Sequence, residues 1–204
     1  MVANDANKPF PPGAIVFRIR VADFDRWLGY FDEHEDLRRE AGIVGHHINR
    51  AEGDPDDIVV YLAVSSLDAA RAFAASDGLR ERMEESGVVG TPEVTLMTQV
   101  REAVIWDREL PASLLNLEVA DFDRWLEGYD SAADLRRTMG IIGGAATRSI
   151  DDPTVALVYH QAESFDTLRT FLADDEFKER MRSAGVVSAP EVSFVTGGWA
   201  KRYV

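Results

Sequence analysis

The chain has 204 residues, of which 46% are hydrophobic and none is cysteine, and its formal net charge is -14. This acidity argues against binding to nucleic acid or to anionic membranes, since both need a surface rich in Lys and Arg, and the lack of cysteine excludes disulfides and thiolate metal sites. Because Met1–Gly13 has no apolar signal core and no apolar run approaches the roughly 20 residues of a membrane span, we expect a soluble, cytoplasmic protein.

The first half of the chain predicts six elements. Over Ala14–Val21 apolar residues alternate with Arg18 and Arg20, which is the period of a strand. A helix begins at Asp23, and glycines at positions 42 and 45 end it. The other predicted elements are two strands at His46–Ala51 and Ile58–Val64, a helix from Ser66 to about Ser86, and a strand at Val94–Val100. The order β-α-β-β-α-β is typical of a ferredoxin-like unit.

The second half of the chain repeats the first without a gap. The eight residues Val21–Leu28 recur unchanged as Val119–Leu126, and one constant shift also superposes the later identities. A duplication of this length indicates two domains rather than a short solenoid repeat. We predict domains at 14–100 and 113–204, called repeat one and repeat two below, with a connector at 101–112.

The duplication also predicts how the units pack. A ferredoxin-like sheet has helices on one face only, so its other face must be buried against something else. Here an almost identical unit is covalently attached. We therefore predict an α+β protein whose two ferredoxin-like units pack sheet to sheet as an intramolecular pseudo-dimeric α/β barrel, and we also consider a homodimer of the whole chain.

Several motifs resemble a known superfamily. They are the segment V-x-D-F-D-x-W, Arg38 with Gly42 and Gly45, then Arg50 with Asp54-Pro55, and the closing G-V-V-x-x-P-E-V. Together they resemble the dimeric α/β-barrel superfamily, which includes small antibiotic-biosynthesis monooxygenases and polyketide cyclases. The resemblance covers both repeats and implies a small-molecule substrate. This chain departs from the usual one-domain protomer because it fuses two units.

The first helix of repeat one carries polar residues on its inward stripe. Continuing the stripe of Trp27 and Phe31 at about 100° per residue brings in His34, Glu35 and Arg38. Repeat two has two alanines and an arginine at those three positions. A buried unpaired charge costs several kcal/mol, so such groups must be paired, hydrated or in a pocket. The alternative is that His34 and Glu35 lie at the edge of the stripe and reach solvent.

A second difference lies on the following strand. His46 and His47 in repeat one correspond to Gly144 and Ala145 in repeat two. Because adjacent strand residues point to opposite faces, only one of the two histidines can face the helices. The same geometry argues against a metal site built from this pair, and we predict no metal and no cofactor.

Repeat two has a histidine of its own, since His160 replaces Leu62. A lone strand histidine is more often structural than catalytic, although a second, differently built pocket remains open. The tyrosines that the repeats share, Tyr61 and Tyr159, favour a structural role, but a phenol can also orient a substrate. As substrate-binding candidates we list Trp27, Phe31, Tyr61, Tyr159, His160 and Arg136.

Acid-base chemistry is what His, Glu, Arg and Tyr can perform without a cofactor. Combined with the resemblance, this favours a cofactor-independent cyclase or dehydratase that acts on an aromatic polyketide-type intermediate. His34 would be the general base, Glu35 or Arg38 would orient it, and Arg38 with one of His46 or His47 would stabilise an enolate. The alternatives are a cofactor-free monooxygenase for a phenolic or anthrone-like substrate, and a non-catalytic small-molecule-binding barrel.

Overall fold

The structure is a computed structural model, and it describes residues 11–203. Residues 1–10, which form most of the segment predicted to have no apolar signal core, lie outside the described residues. The first eight elements are β1 (Gly13–Val21), α1 (Phe24–Glu33), α2 (Glu35–Glu40), β2 (Ile43–Ala51), β3 (Asp54–Val64), α3 (Leu67–Ala74), α4 (Asp77–Glu85) and β4 (Val88–Ala103). The next eight are β5 (Leu110–Glu118), α5 (Phe122–Ser131), α6 (Ala133–Thr138), β6 (Gly143–Ser149), β7 (Val155–Gln161), α7 (Phe165–Ala173), α8 (Asp175–Ser183) and β8 (Glu191–Arg202).

The eight strands form one closed antiparallel barrel in the order β1-β3-β2-β8-β5-β7-β6-β4. Each repeat contributes four adjacent strands, and the pairs β2–β8 and β4–β6 join the two sets. Closure means that no strand among residues 11–203 is at a free sheet edge. The predicted α+β barrel of ferredoxin-like halves is confirmed. The domain boundaries and the homodimer stay predictions.

Strand alternation places apolar residues on both faces of the barrel wall. Ile15 and Phe17 of β1 pack outward in a buried cluster with Phe24 and Trp27 of α1. Val16, between them, points into the barrel lumen, where it joins a third cluster with side chains from both repeats. The helices therefore cover the outside of the barrel, and each repeat has its own core between helices and sheet.

The predicted first helix is wrong in one respect, because it is two helices. It breaks at His34, which has φ -105° and ψ 25°, and repeat two breaks at the corresponding Ala132. Since an alanine breaks the helix equally well, the imidazole is not the cause. In both repeats an arginine of the next helix donates to a carbonyl at the end of the previous one, Arg38 to Phe31 and Arg136 to Tyr129. Such bonds satisfy carbonyls that a helix end leaves without partners.

The predicted second helix, Ser66–Ser86, also consists of two, α3 and α4. Ser76 separates them and accepts a hydrogen bond from the backbone N–H of Leu79, so it caps the second. The longest described helices, α1 and α5, have 10 residues each. No helix among residues 11–203 is therefore long enough to cross a membrane, which takes roughly 20 residues.

Candidate active site

A cavity of about 250 Å³ lies between the helices and the sheet of repeat one. Most of its wall is apolar and is formed by Phe17, Ile19, Trp27, Phe31, Val60, Leu62, Phe73, Leu79 and Met83. The polar groups at its surface come mainly from the helices, and include His34 and Arg38. A concave apolar pocket with a few convergent polar groups is the usual form of a small-molecule site.

His34 lines this cavity, and a hydrogen bond determines which of its ring nitrogens carries the proton. Its Nδ1 lies 2.8 Å from the carbonyl oxygen of Tyr30. A carbonyl only accepts, so Nδ1 must carry the hydrogen, and in the neutral ring the lone pair is then on Nε2. The ring also stacks on the ring of Tyr30, with centroids 4.2 Å apart. The imidazole is thereby held with a basic nitrogen that makes no bond to the described residues.

Arg38 is the buried cation of the cavity. It is 6% exposed, its guanidinium lies 3.5 Å over the ring of Phe31, and its Nε donates to the hydroxyl of Tyr203 at 2.8 Å. No carboxylate among residues 11–203 forms an ion pair with it, and its Nη2 has no hydrogen-bond partner there. A buried guanidinium with an unused N–H group is suited to bind a carbonyl or enolate oxygen.

Glu35 has other partners than the predicted His34. Its carboxylate binds Lys201 at 2.6 Å and Arg39 at 2.9 Å, and it does not line the cavity. The hydrogen bond from Lys201 is the main reason why the pKa of Glu35 is lowered. The contacts of Glu35 therefore give no support to its predicted role as a group that orients His34.

In repeat two the corresponding space is nearly filled, and its cavity measures only about 30 Å³. Phe177 stands where repeat one has Leu79, and His160 stands where repeat one has Leu62. Gly128 replaces Tyr30, and a Cβ at this glycine would lie 2.6 Å from the Cβ of Ala184. Helices α5 and α8 can approach each other closely for that reason, whereas Tyr30 separates α1 and α4 and donates to Glu85.

The two adjacent histidines face opposite sides of the barrel wall, as predicted. His46 faces the helices, where its Nδ1 lies 2.8 Å from the hydroxyl of Tyr203. His47 points into the lumen, packs edge to face on Trp106 and Tyr159, and leaves its Nε2 without a partner. Burial lowers the pKa of each to about 4, and Arg38 adds to the effect at His46. Both rings are thus neutral near pH 7.

The shared tyrosines lie in the lumen, away from the cavity of repeat one. Tyr61 donates to Gln99, and Tyr159 donates to Asn49, which in turn bonds His47. A Cβ at Gly197 would lie 2.4 Å from the His47 ring, so the absence of a side chain there makes room for this network.

Of the eleven predicted site residues, the structure brings four to the repeat-one cavity: Trp27, Phe31, His34 and Arg38. His46 contacts its rim through Phe31, while His47, Tyr61 and Tyr159 lie in the lumen and His160 and Arg136 in repeat two. Sequence reasoning missed Tyr30 and Tyr203. The replacement of Tyr30 by Gly128 was a usable signal. The sequence carried no such signal for Tyr203, because its contacts to Arg38 and His46 join distant parts of the chain.

The described part of the chain has no cluster of side chains that could serve as metal ligands. Among residues 11–203 no group of three or more His, Asp or Glu side chains is placed to hold a metal ion.

The fold is shared with solved structures of monooxygenase-like proteins. A proposed monooxygenase from Lactobacillus acidophilus is 14% identical, with a TM-score of 0.65, and the match covers 94% of this chain and 96% of that one. An anthrone oxidase-like protein is 10% identical, with a TM-score of 0.65 and 94% and 93% coverage. A ferredoxin-fold protein from Listeria monocytogenes, related to antibiotic biosynthesis monooxygenases, is 9% identical, with a TM-score of 0.53 and 92% and 95% coverage. No family model and no curated protein matches the sequence. At these identities the likeness extends to the fold alone.

Proposed function

We propose that this chain is an enzyme that removes a proton from a small aromatic or conjugated carbonyl compound held in the repeat-one cavity. The observation that supports this is the presence in one apolar cavity of a base and an anion-binding group. The base is Nε2 of His34, and the anion-binding group is the guanidinium of Arg38, which lines the same cavity. Acid-base catalysis by a positioned side chain contributes about 10² to 10⁴-fold in rate.

The apolar wall selects the substrate class. Trp27 and Phe31 form one stacked aromatic face of the cavity, with ring centroids 5.1 Å apart. A volume of about 250 Å³ is near the lower end of small-molecule pockets, which run from roughly 300 Å³ upward. A compact, flat substrate of a few fused rings suits this space. In the low-dielectric wall, the charge of Arg38 acts on the substrate oxygen more strongly than it would in water.

Two reactions begin with this step. In a cyclase or dehydratase, which we propose first, the carbanion attacks a second carbonyl of the same molecule and the new C–C bond closes the ring. The alkoxide takes up a proton, and the resulting hydroxyl group then leaves as water with a hydrogen from the neighbouring carbon. In a monooxygenase, the carbanion of a phenolic or anthrone-like compound reacts with dioxygen. One oxygen atom then enters the substrate, and the other leaves as water with the two hydrogens of the methylene carbon. The likeness in fold to an anthrone oxidase-like protein favours this second candidate.

An anthrone in deuterated buffer tests the proposal. Without oxygen, the enzyme should accelerate exchange of the methylene hydrogens, read by NMR, whichever reaction follows. With oxygen, uptake measured by an electrode would identify the monooxygenase, while exchange without uptake would favour the cyclase. No acceleration of exchange over a His34→Ala control would contradict the proposed base.

A further inference from the structure

Repeat one contains a phenol-binding niche that the chain fills by itself. The hydroxyl of Tyr203 accepts from Nε of Arg38 at 2.8 Å and lies 2.8 Å from Nδ1 of His46. Arg39 lies over its ring, 4.7 Å from the centroid. We call Arg38, Arg39 and His46 the tyrosine niche. These contacts show, within this molecule, how the fold binds a phenol outside the barrel next to β2.

Repeat two keeps the two arginines of this niche but lacks the tyrosine. Arg136 and Arg137 correspond to Arg38 and Arg39, and the strand pairs His46↔Lys201 and Gly144↔Ala103 are equivalent. The residue two places after Ala103 is Ile105, at the position of Tyr203. Its backbone bonds the side chain of Gln161 instead.

A cavity of about 280 Å³ lies at this place in repeat two, and Ile105 does not line it. We call it the repeat-two recess, lined among others by Arg101, Tyr129, Arg136, Arg137, Gly144 and His160. It is separate from the cavity that holds His34, because the two lie in different repeats and share no lining residue.

Two polar side chains of the recess, Arg136 and His160, have unused bonding capacity, whereas Arg137 forms an ion pair with Asp134 at 3.0 Å. Arg136 donates only to the Tyr129 carbonyl, stacks on the Tyr129 ring, and has no ion pair with a described carboxylate, whereas Arg101 is neutralised by Asp130. His160 lines the recess, is 2% exposed, and neither of its ring nitrogens has a partner.

The imidazole of the niche has changed strands between the repeats. His46 pairs with Leu62 across β2 and β3, and Gly144 pairs with His160 across β6 and β7. Repeat one thus has the histidine on β2, and repeat two has it on β7, the strand that corresponds to β3. In both repeats one imidazole lies near the arginine.

We infer that the repeat-two recess binds a phenol from solution in the place that Tyr203 occupies in repeat one. The hydroxyl accepts from Arg136, the ring lies against Arg137, and the imidazole of His160 is at the base of the recess. Inorganic anions fit less well, because Asp130 and Glu102 also line it. This site does not depend on the proposed reaction.

Titration with p-cresol, the side chain of tyrosine as a free molecule, tests the inference. The chain has four histidines, so their ring signals can be assigned and followed by NMR. We expect saturable shifts of the His160 signals. The Arg136→Met variant should bind at that site at least about ten-fold more weakly, as expected for losing a hydrogen bond from a charged donor. Saturation with His160 unmoved, or equal affinity in Arg136→Met, would overturn the inference. Shifts of His34 alone would overturn it and leave the proposed function intact.

Two further variants, at Tyr203 and at its counterpart Ile105, test the inference without replacing a residue that lines the recess. Ile105→Tyr should fill the recess and abolish the shifts at His160, and Tyr203→Ala should open the niche and raise the p-cresol stoichiometry by one in calorimetry. Equal stoichiometry in Tyr203→Ala and wild type, or inorganic phosphate that competes as well as p-cresol, would reject a phenol site. Should Ile105→Tyr fail to fold, the comparison of Arg136→Met with wild type decides.

Discussion

The space between helices and sheet is a cavity of about 250 Å³ in repeat one and of about 30 Å³ in repeat two. Both repeats keep the same tryptophan and arginine there, Trp27 with Arg38 and Trp125 with Arg136. The difference comes from positions where the side chain changes size, since Phe177 replaces Leu79 and Gly128 replaces Tyr30. In a duplicated fold, one copy can therefore keep the packing while the other is open for a ligand. The base, His34, is in the open copy, and alanine replaces it in the filled one.

The largest effect should follow from replacing the proposed general base of repeat one by the residue that repeat two has at that position. His34→Ala introduces the residue found at position 132, so the fold should tolerate it. Loss of a general base should lower kcat/KM by about 10² to 10⁴-fold. Steady-state kinetics measures this, and circular dichroism confirms that the fold is intact. Activity within a factor of two of wild type would mean that the two cavities do not differ in the proposed way.

Filling the open cavity should separate binding from chemistry. Leu79→Phe introduces the bulk that Phe177 provides in repeat two. Overpacking costs about 1 to 3 kcal/mol in stability. We expect KM to rise more than kcat falls, because the base is untouched while the substrate loses space. The reverse exchange, Phe177→Leu, should open the small cavity and lower the unfolding free energy without changing activity. A lower kcat with unchanged KM in Leu79→Phe would contradict a binding role for this cavity.

The buried histidine of the filled copy should make the protein sensitive to acid. Burial, helped by Arg136, lowers the pKa of His160 to about 3 from an ordinary 6.5. Below about pH 6.5 the unfolded chain takes up a proton that the folded chain does not, so stability falls as the pH drops from 6.5 toward 3. His160→Leu introduces the residue that repeat one has at this position, and it removes this loss of stability. Between pH 7 and pH 5 the variant should gain about 2 kcal/mol relative to wild type in urea unfolding. Parallel stability curves for the two proteins would refute the neutral, buried state.

The smallest effect concerns Glu35. Its carboxylate is bound to Lys201 and Arg39, so Glu35→Gln should leave the pH-rate profile where it is. Loss of these partly exposed ion pairs should cost at most about 1 kcal/mol in stability. A shift of the pH optimum would restore the sequence-based prediction that Glu35 acts on His34. This variant is also the matched control for His34→Ala, because it changes the next residue in the chain.

Much of the fold could be predicted because its signals are local. Alternation along Ala14–Val21 predicted β1, and it placed Arg18 and Arg20 opposite the apolar residues. The alternation of side chains along a strand was enough to show that His46 and His47 face opposite sides of the barrel wall. The comparison of the repeats pointed to His34, because repeat two has an alanine at the corresponding position. These are properties of one element, or of two aligned positions, and need no knowledge of what lies across from them.

The tertiary structure decided what each polar side chain meets. Glu35 meets Lys201 of β8, and Tyr203, the residue after that strand, meets Arg38. Helical periodicity gives the face of an element but not its neighbour. In this chain the neighbour depends on barrel closure, which pairs β8 of repeat two with β2 of repeat one. The depth of each cavity depends in turn on how closely two helices approach, which a single glycine at position 128 changes.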